Sequence, residues 1–145
     1  MKKRTRLKLL LLLMLCSFLA PESQAQIELD PEKDVNVVVT VDPDPAPQGG
    51  NSTLKISIHL PPEVHITDRE MGFFFASMGD IEGLMWGLPS YPSGTEFEGD
   101  FVYRGVVEVA VPFVLEETFK VGQTIEIAGV LGYQICTENE PIYCL

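Results

Sequence analysis

The chain has 145 residues and a formal net charge of −11, from 10 lysines and arginines against 21 aspartates and glutamates. Five of those basic residues but only one acidic residue lie in the first 25 positions, so the 120 residues that follow carry −15. So acidic a balance excludes nucleic acid and anionic membrane surfaces as partners, since both need a basic footprint.

Lys2, Lys3, Arg4, Arg6 and Lys8 form a basic leader, and residues 9–20 are an apolar run of 12. Ser23 and Ala25 then place small residues at the two positions that a signal peptidase reads. This pattern predicts a secretory signal peptide over residues 1–25, cleaved before Gln26, and export to the periplasm. The apolar run is shorter than the ~20 residues of a membrane-spanning helix. No span is therefore expected once the leader is gone. Cys16 leaves with the leader, so Cys136 and Cys144 are the cysteines of the exported domain, in a compartment where a disulfide can form. Residues 26–145 are enough for one domain with a real core.

Residues 35–42 alternate Val35, Val37, Val39 and Val41 with their neighbours, a period of two that predicts a strand. A loop with Pro43, Pro45 and Pro47 follows, because prolines remove ladder donors. Leu54, Ile56, Ile58 and Leu60 alternate strictly with Thr53, Lys55, Ser57 and His59, a half-buried strand stopped by Pro61-Pro62. Residues 64–66 form a short strand candidate. Residues 72–77 and 84–88 are apolar runs, and 89–94 reads as a loop. One long strand is expected over 101–115, with Tyr103, Val107, Val109 and Val111 in phase. A last one is marked by Ile125, Ile127, Leu131, Tyr133 and Ile135 and leads into Cys136. No window beyond position 26 has sustained helical periodicity. The expected fold is all-β, an immunoglobulin-like antiparallel β-sandwich, with Leu54, Ile56, Ile58, Val107, Val109, Val111, Ile125 and Ile127 largely buried.

The C-terminal segment Tyr133-Gln134-Ile135-Cys136, then an acidic stretch with Pro141, then Tyr143-Cys144, has seven residues between its cysteines. A strand, a turn and a returning strand can bring two such Cα atoms into disulfide range, most readily at a non-hydrogen-bonded pair. A disulfide here is either a staple or a working redox couple. Glu138 and Glu140 beside it disfavour thiolate and are expected to raise both cysteine pKa values.

In sequence order these pieces resemble the periplasmic N-terminal domain of the thiol–disulfide reductase DsbD, of the disulfide bond corrector-like type. The resemblance rests on Leu60-Pro61-Pro62-Glu63-Val64-His65-Ile66, Tyr91-Pro92-Ser93-Gly94, Glu96-Phe97-Glu98-Gly99, Val102-Tyr103-Arg104-Gly105, Val109-Ala110-Val111-Pro112 and Tyr133-Gln134-Ile135-Cys136. It implies an immunoglobulin-like fold and electron transfer between thioredoxin-like redox domains and periplasmic disulfide-bonded proteins, with no cofactor. It further implies that Cys144 exchanges with partners, Cys136 resolves, Tyr133 and Gln134 support the pair, and a cap segment at residues 95–98, with Glu96 and Phe97, covers the disulfide. Phe97 would shield the sulfurs between hinges at Gly94 and Gly99, and Glu96 would assist proton transfer. In that family the cysteines stand closer together and a Pro-Pro pair and a closing strand follow them; here Leu145 follows Cys144 directly, so the sandwich is expected to lack its final strand.

Other chemistries are poorly served. His59 and His65 with the two cysteines compose a Cys₂His₂ set, but the double proline between the histidines is unlike a zinc-ligand spacing. Met71, Met78 and Met85 recur every seven residues among glycines that break a helix, and methionine in apolar runs is ordinarily core. No nucleophilic triad or phosphate-binding glycine loop is present. The competing function is a secreted β-sandwich binding or adhesion module whose disulfide is purely structural.

Overall fold

The computed structural model describes residues 29–145, so the expected signal peptide lies outside the described residues. The architecture is an immunoglobulin-like antiparallel β-sandwich with two short helical turns among the described residues, α1 (Pro31–Asp34) at its start and a 3-10 turn at Arg69–Met71. Sheet one contains β1 (Asn36–Asp42), β2 (Asn51–His59), β5 (Leu84–Trp86) and β8 (Val106–Leu115), in the order β1-β2-β8-β5. Sheet two contains β3 (Val64–Thr67), β6 (Thr95–Phe97), β7 (Asp100–Arg104) and β10 (Ile135–Thr137), in the order β10-β3-β7-β6. β4 (Phe75–Met78) and β9 (Gly129–Gly132) pair as a separate ribbon. Among the described residues no helix is long and apolar enough to cross a membrane.

The alternation in β2 and β8 produces the core directly. Leu54 pairs with Val111, Ile56 with Val109 and Ile58 with Val107, and all six are buried. Facing them, Val64, Ile66, Tyr103 and Ile135 close the core from sheet two, with Phe74 wedged edge-on against Tyr91 and Tyr103. Side chains at alternate positions of a strand share a face, so the intervening residues of sheet two look outward. Those outward residues form the site described below.

Two sequence expectations change. The long strand over 101–115 is two strands on different sheets, divided at Gly105, whose φ of 68° suits a residue without Cβ. Alternation continues through the break, which is why the pattern reads as one strand. The last strand is likewise split: residues 129–132 join the ribbon and 135–137 join sheet two, while Ile125 and Ile127 precede both. Those two isoleucines are half-buried, lining a groove of about 740 Å³ with Phe113, Leu115 and Phe119 rather than filling the core. The expected strand over 35–42 is β1, an edge strand whose Val37 and Val39 are exposed although they pair with the buried Ile58 and Ile56.

Among the described residues no strand follows β10, and the last residues form only a short stub joined to it by an isolated bridge. Ile135 and Leu145 exchange both backbone hydrogen bonds, and the Thr137 N–H donates to the Tyr143 carbonyl. Residues 143–145 thus run antiparallel along the open edge of β10.

Candidate functional site

That stub presents the cysteines to each other. Cys136 and Cys144 stand directly opposite, between the hydrogen-bonded Ile135–Leu145 pair and the Thr137–Tyr143 contact. This is the close, non-hydrogen-bonded position of an antiparallel ladder. Their Cα atoms are 4.1 Å apart and the sulfurs are bonded. The Thr137 hydroxyl accepts from the Tyr143 N–H and donates to the Pro141 carbonyl, which ties down the turn between them.

The two halves of the bond differ in access. Cys136 is 3% exposed, flanked in β10 by Ile135 at 1% and Thr137 at 7%. Cys144, on the outermost strand, is exposed. Both line a cavity of about 560 Å³ on the outer face of sheet two, with His65, Thr67, Phe97, Val102, Gln134 and Ile142. The disulfide therefore lies on the sheet face, one row outside the core residues Ile135, Ile66 and Tyr103, rather than at the tip of the sandwich.

Register explains which residues gather there. Cys136 pairs with His65 and His65 with Arg104, so Cys144, Cys136, His65 and Arg104 form one row across the C-terminal stub, β10, β3 and β7. Glu138, two residues beyond Cys136, shares its face. Its carboxylate accepts from the Arg104 Nε–H and lies 3.2 Å from His65 Nδ1. The Arg104 guanidinium stacks 4.4 Å over the Phe97 ring, and Phe97 tilts against the His65 ring at 5.4 Å between centroids. Arg104 also donates from Nη1 to the Thr95 hydroxyl. Glu138, expected to act as a bare negative charge beside the sulfurs, is instead held by a guanidinium, which offsets its effect on a nearby thiol. Glu140 is exposed in the turn.

The sequence-named residues separate into two groups. Cys136, Cys144, Phe97 and Gln134 meet at the cavity, where Gln134 Oε1 accepts from the Thr67 hydroxyl at 3.4 Å. Tyr133 is half-buried against the core. Glu96 is exposed, and its strand position opposite Phe101 turns it to the other face from Phe97. The segment expected to cap the disulfide is part of a β-hairpin: Phe97 pairs with Asp100 across a two-residue turn at Glu98 and Gly99, both with positive φ. At Gly94 a Cβ would come within 3.1 Å of the Phe101 Cβ, so a larger residue there would crowd the hairpin. Phe97 forms a wall of the cavity while Cys144 remains exposed, so its cover is partial. His59 sits at the exposed end of β2 on the other sheet, away from His65. Sequence reasoning passed over His65, Arg104 and Glu138 as a set.

Comparison with solved structures finds the N-terminal domain of DsbD from Neisseria meningitidis, in the reduced form. The two are 22% identical with a TM-score of 0.48, over 84% of this chain and 89% of that one. No family model matches the chain, and no curated protein matches it.

Proposed function

We propose that residues 26–145 constitute an exported thiol–disulfide exchange module, which passes electrons between a thioredoxin-like donor and disulfide-bonded partners in the periplasm. The observation that carries this reading is the asymmetry of the disulfide: one sulfur belongs to an exposed residue, the other to a buried one, and both face an open cavity. Exchange requires a partner thiolate to approach one sulfur in line with the S–S bond while the other departs into a protected position. Cys144 suits attack and Cys136 suits departure. The resemblance of the C-terminal motif and of the segment around Phe97 supports the same assignment. In this reading Phe97 screens the cavity side of the pair, and Gln134 fixes the floor beside Cys136.

A second reading has its own support. The bond joins the C-terminal stub to β10, so a structural staple for a binding module explains its position too. The reduction potential separates them. Structural disulfides of exported proteins typically lie below about −300 mV, and exchange-active ones are more oxidising. The exchange reading expects a value above that line, and a mixed disulfide through Cys144 when the Cys136→Ser variant meets a disulfide-bonded partner protein. A potential below about −300 mV, with no mixed disulfide formed, leaves the staple as the function.

A further inference from the structure

The structure assigns His65 as the acid–base group for Cys136, held in place by Glu138; this rests on the exchange reading above. When a partner attacks Cys144, electrons are pushed onto Cys136, a residue 3% exposed. A thiolate forming there is poorly solvated, so protonation or an adjacent cation lowers the barrier to S–S rupture. Solvent is badly placed to supply the proton. The titratable side chain directly across the ladder is His65, itself only 7% exposed and lining the same cavity.

The other groups around the ring leave that role to it. From the turn after β10, Glu138 meets Nδ1. From β7, Arg104 is permanently protonated and engaged with Glu138 and the Phe97 face. From β6, Phe97 is apolar. The remaining charged residues on the cavity wall, Asp68, Glu70, Glu98 and Asp100, are carboxylates. With Nδ1 facing a carboxylate, Nε2 is the nitrogen left to serve sulfur. A nucleophile or leaving group, a histidine and an orienting acid make the arrangement that activates side chains in many hydrolases, here applied to a buried sulfur.

The step balances as follows. The donor thiolate attacks Cys144 Sγ and forms a mixed disulfide, and the Cys136–Cys144 bond breaks with its electron pair passing to Cys136 Sγ. His65 Nε2–H gives its proton to that sulfur and becomes neutral, to be reprotonated from water. The donor's second thiolate then attacks its own sulfur in the mixed disulfide, releasing Cys144 as thiolate and leaving the donor oxidised by two electrons. In the reverse direction neutral His65 takes the proton from Cys136 as it attacks a mixed disulfide at Cys144.

The test measures reduction of the oxidised protein by dithiothreitol and by a thioredoxin-type dithiol protein across pH, with each rate divided by the donor's thiolate fraction. For wild type the normalised rate falls as pH rises through the His65 titration, followed by NMR of its ring in the same samples. His65→Gln gives a flat profile, about ten- to a hundredfold slower at the acid end, the lower edge of general-acid effects because a thiolate is already a good leaving group. Glu138→Gln, which keeps a hydrogen-bonding side chain, moves the inflection without abolishing it. A flat wild-type profile, or a His65→Gln variant with wild-type rate and profile, overturns the assignment even if the variants are less stable. A wild-type protein that neither donor reduces sinks the exchange reading instead, and the two failures are told apart by that control.

Discussion

Single-cysteine variants are expected to lose the same stability and to differ sharply in reactivity. Cys136→Ser and Cys144→Ser each delete one crosslink spanning a sequence separation of 8. On the chain-entropy relation a loop of that size contributes about 2–3 kcal/mol, so both should lower the urea midpoint alike. Their remaining thiols are not equivalent. In Cys136→Ser the free Cys144 is exposed on the terminal strand. In Cys144→Ser the free Cys136 lies in β10 between β3 and residues 143–145, with 3% exposure. Freeing it requires that stub to peel away, which breaks the two Ile135–Leu145 hydrogen bonds and the two between Thr137 and Tyr143. At about 0.5–1.5 kcal/mol each, opening costs about 2–6 kcal/mol, a population of roughly one in thirty to one in twenty thousand. Iodoacetamide should therefore label Cys144 at least about thirty times faster than Cys136 under native conditions, and equally fast in concentrated urea. Native rates agreeing within about threefold would refute the reasoning. They would mean that the static difference in exposure does not govern which sulfur a partner meets, and the assignment of Cys144 as the exchanging residue would lose its footing.

Phe97→Ala removes a cation–π contact with Arg104 and a ring contact with His65, a loss of about 1–2 kcal/mol in stability. Reduction by dithiothreitol should quicken several-fold in stopped-flow measurements; an unchanged rate would make Phe97 an ordinary wall residue. Tyr103 contributes on the alkaline side: burial first, and then the charge of Asp68 3.5 Å from its hydroxyl, hold its pKa above the ordinary tyrosine value. The unfolded chain thus releases this proton first. The contribution of Tyr103 is complete below about pH 10, and stability falls as pH climbs from there towards the raised folded value. Tyr103→Phe should flatten that fall in urea titrations at successive pH values, and an identical slope in both proteins would disprove it.

The sandwich was readable because its two central strands, β2 and β8, obey a strict period of two and have one face in the core. What alternation cannot report is where a continuous pattern changes sheet. Gly105 carries the chain from β7 to β8 without disturbing the phase of Tyr103 and Val107, so only its backbone angle betrays the crossing. Alternation is equally silent about the layer above an edge. Val37 and Val39 satisfy the rule for inward residues and are exposed on the edge strand of their sheet. Ile125 and Ile127 look like strand residues and are not in one.

The site follows the same division. The cysteines were legible as a pair because they share a short hairpin, where sequence distance fixes spatial distance. His65 and Glu138 are 73 positions apart, and only the register of β3 between β10 and β7 puts one histidine next to a cysteine and an arginine. That register is set by the inner face. Ile66 is opposite Ile135 and Tyr103, and a slip of one residue would turn all three out of the core. The packing that stabilises the sandwich therefore also holds the outer row Cys144, Cys136, His65 and Arg104 in line. A polar residue at Ile66 should then disorder the chemistry as well as the core, with no atom of the outer row changed.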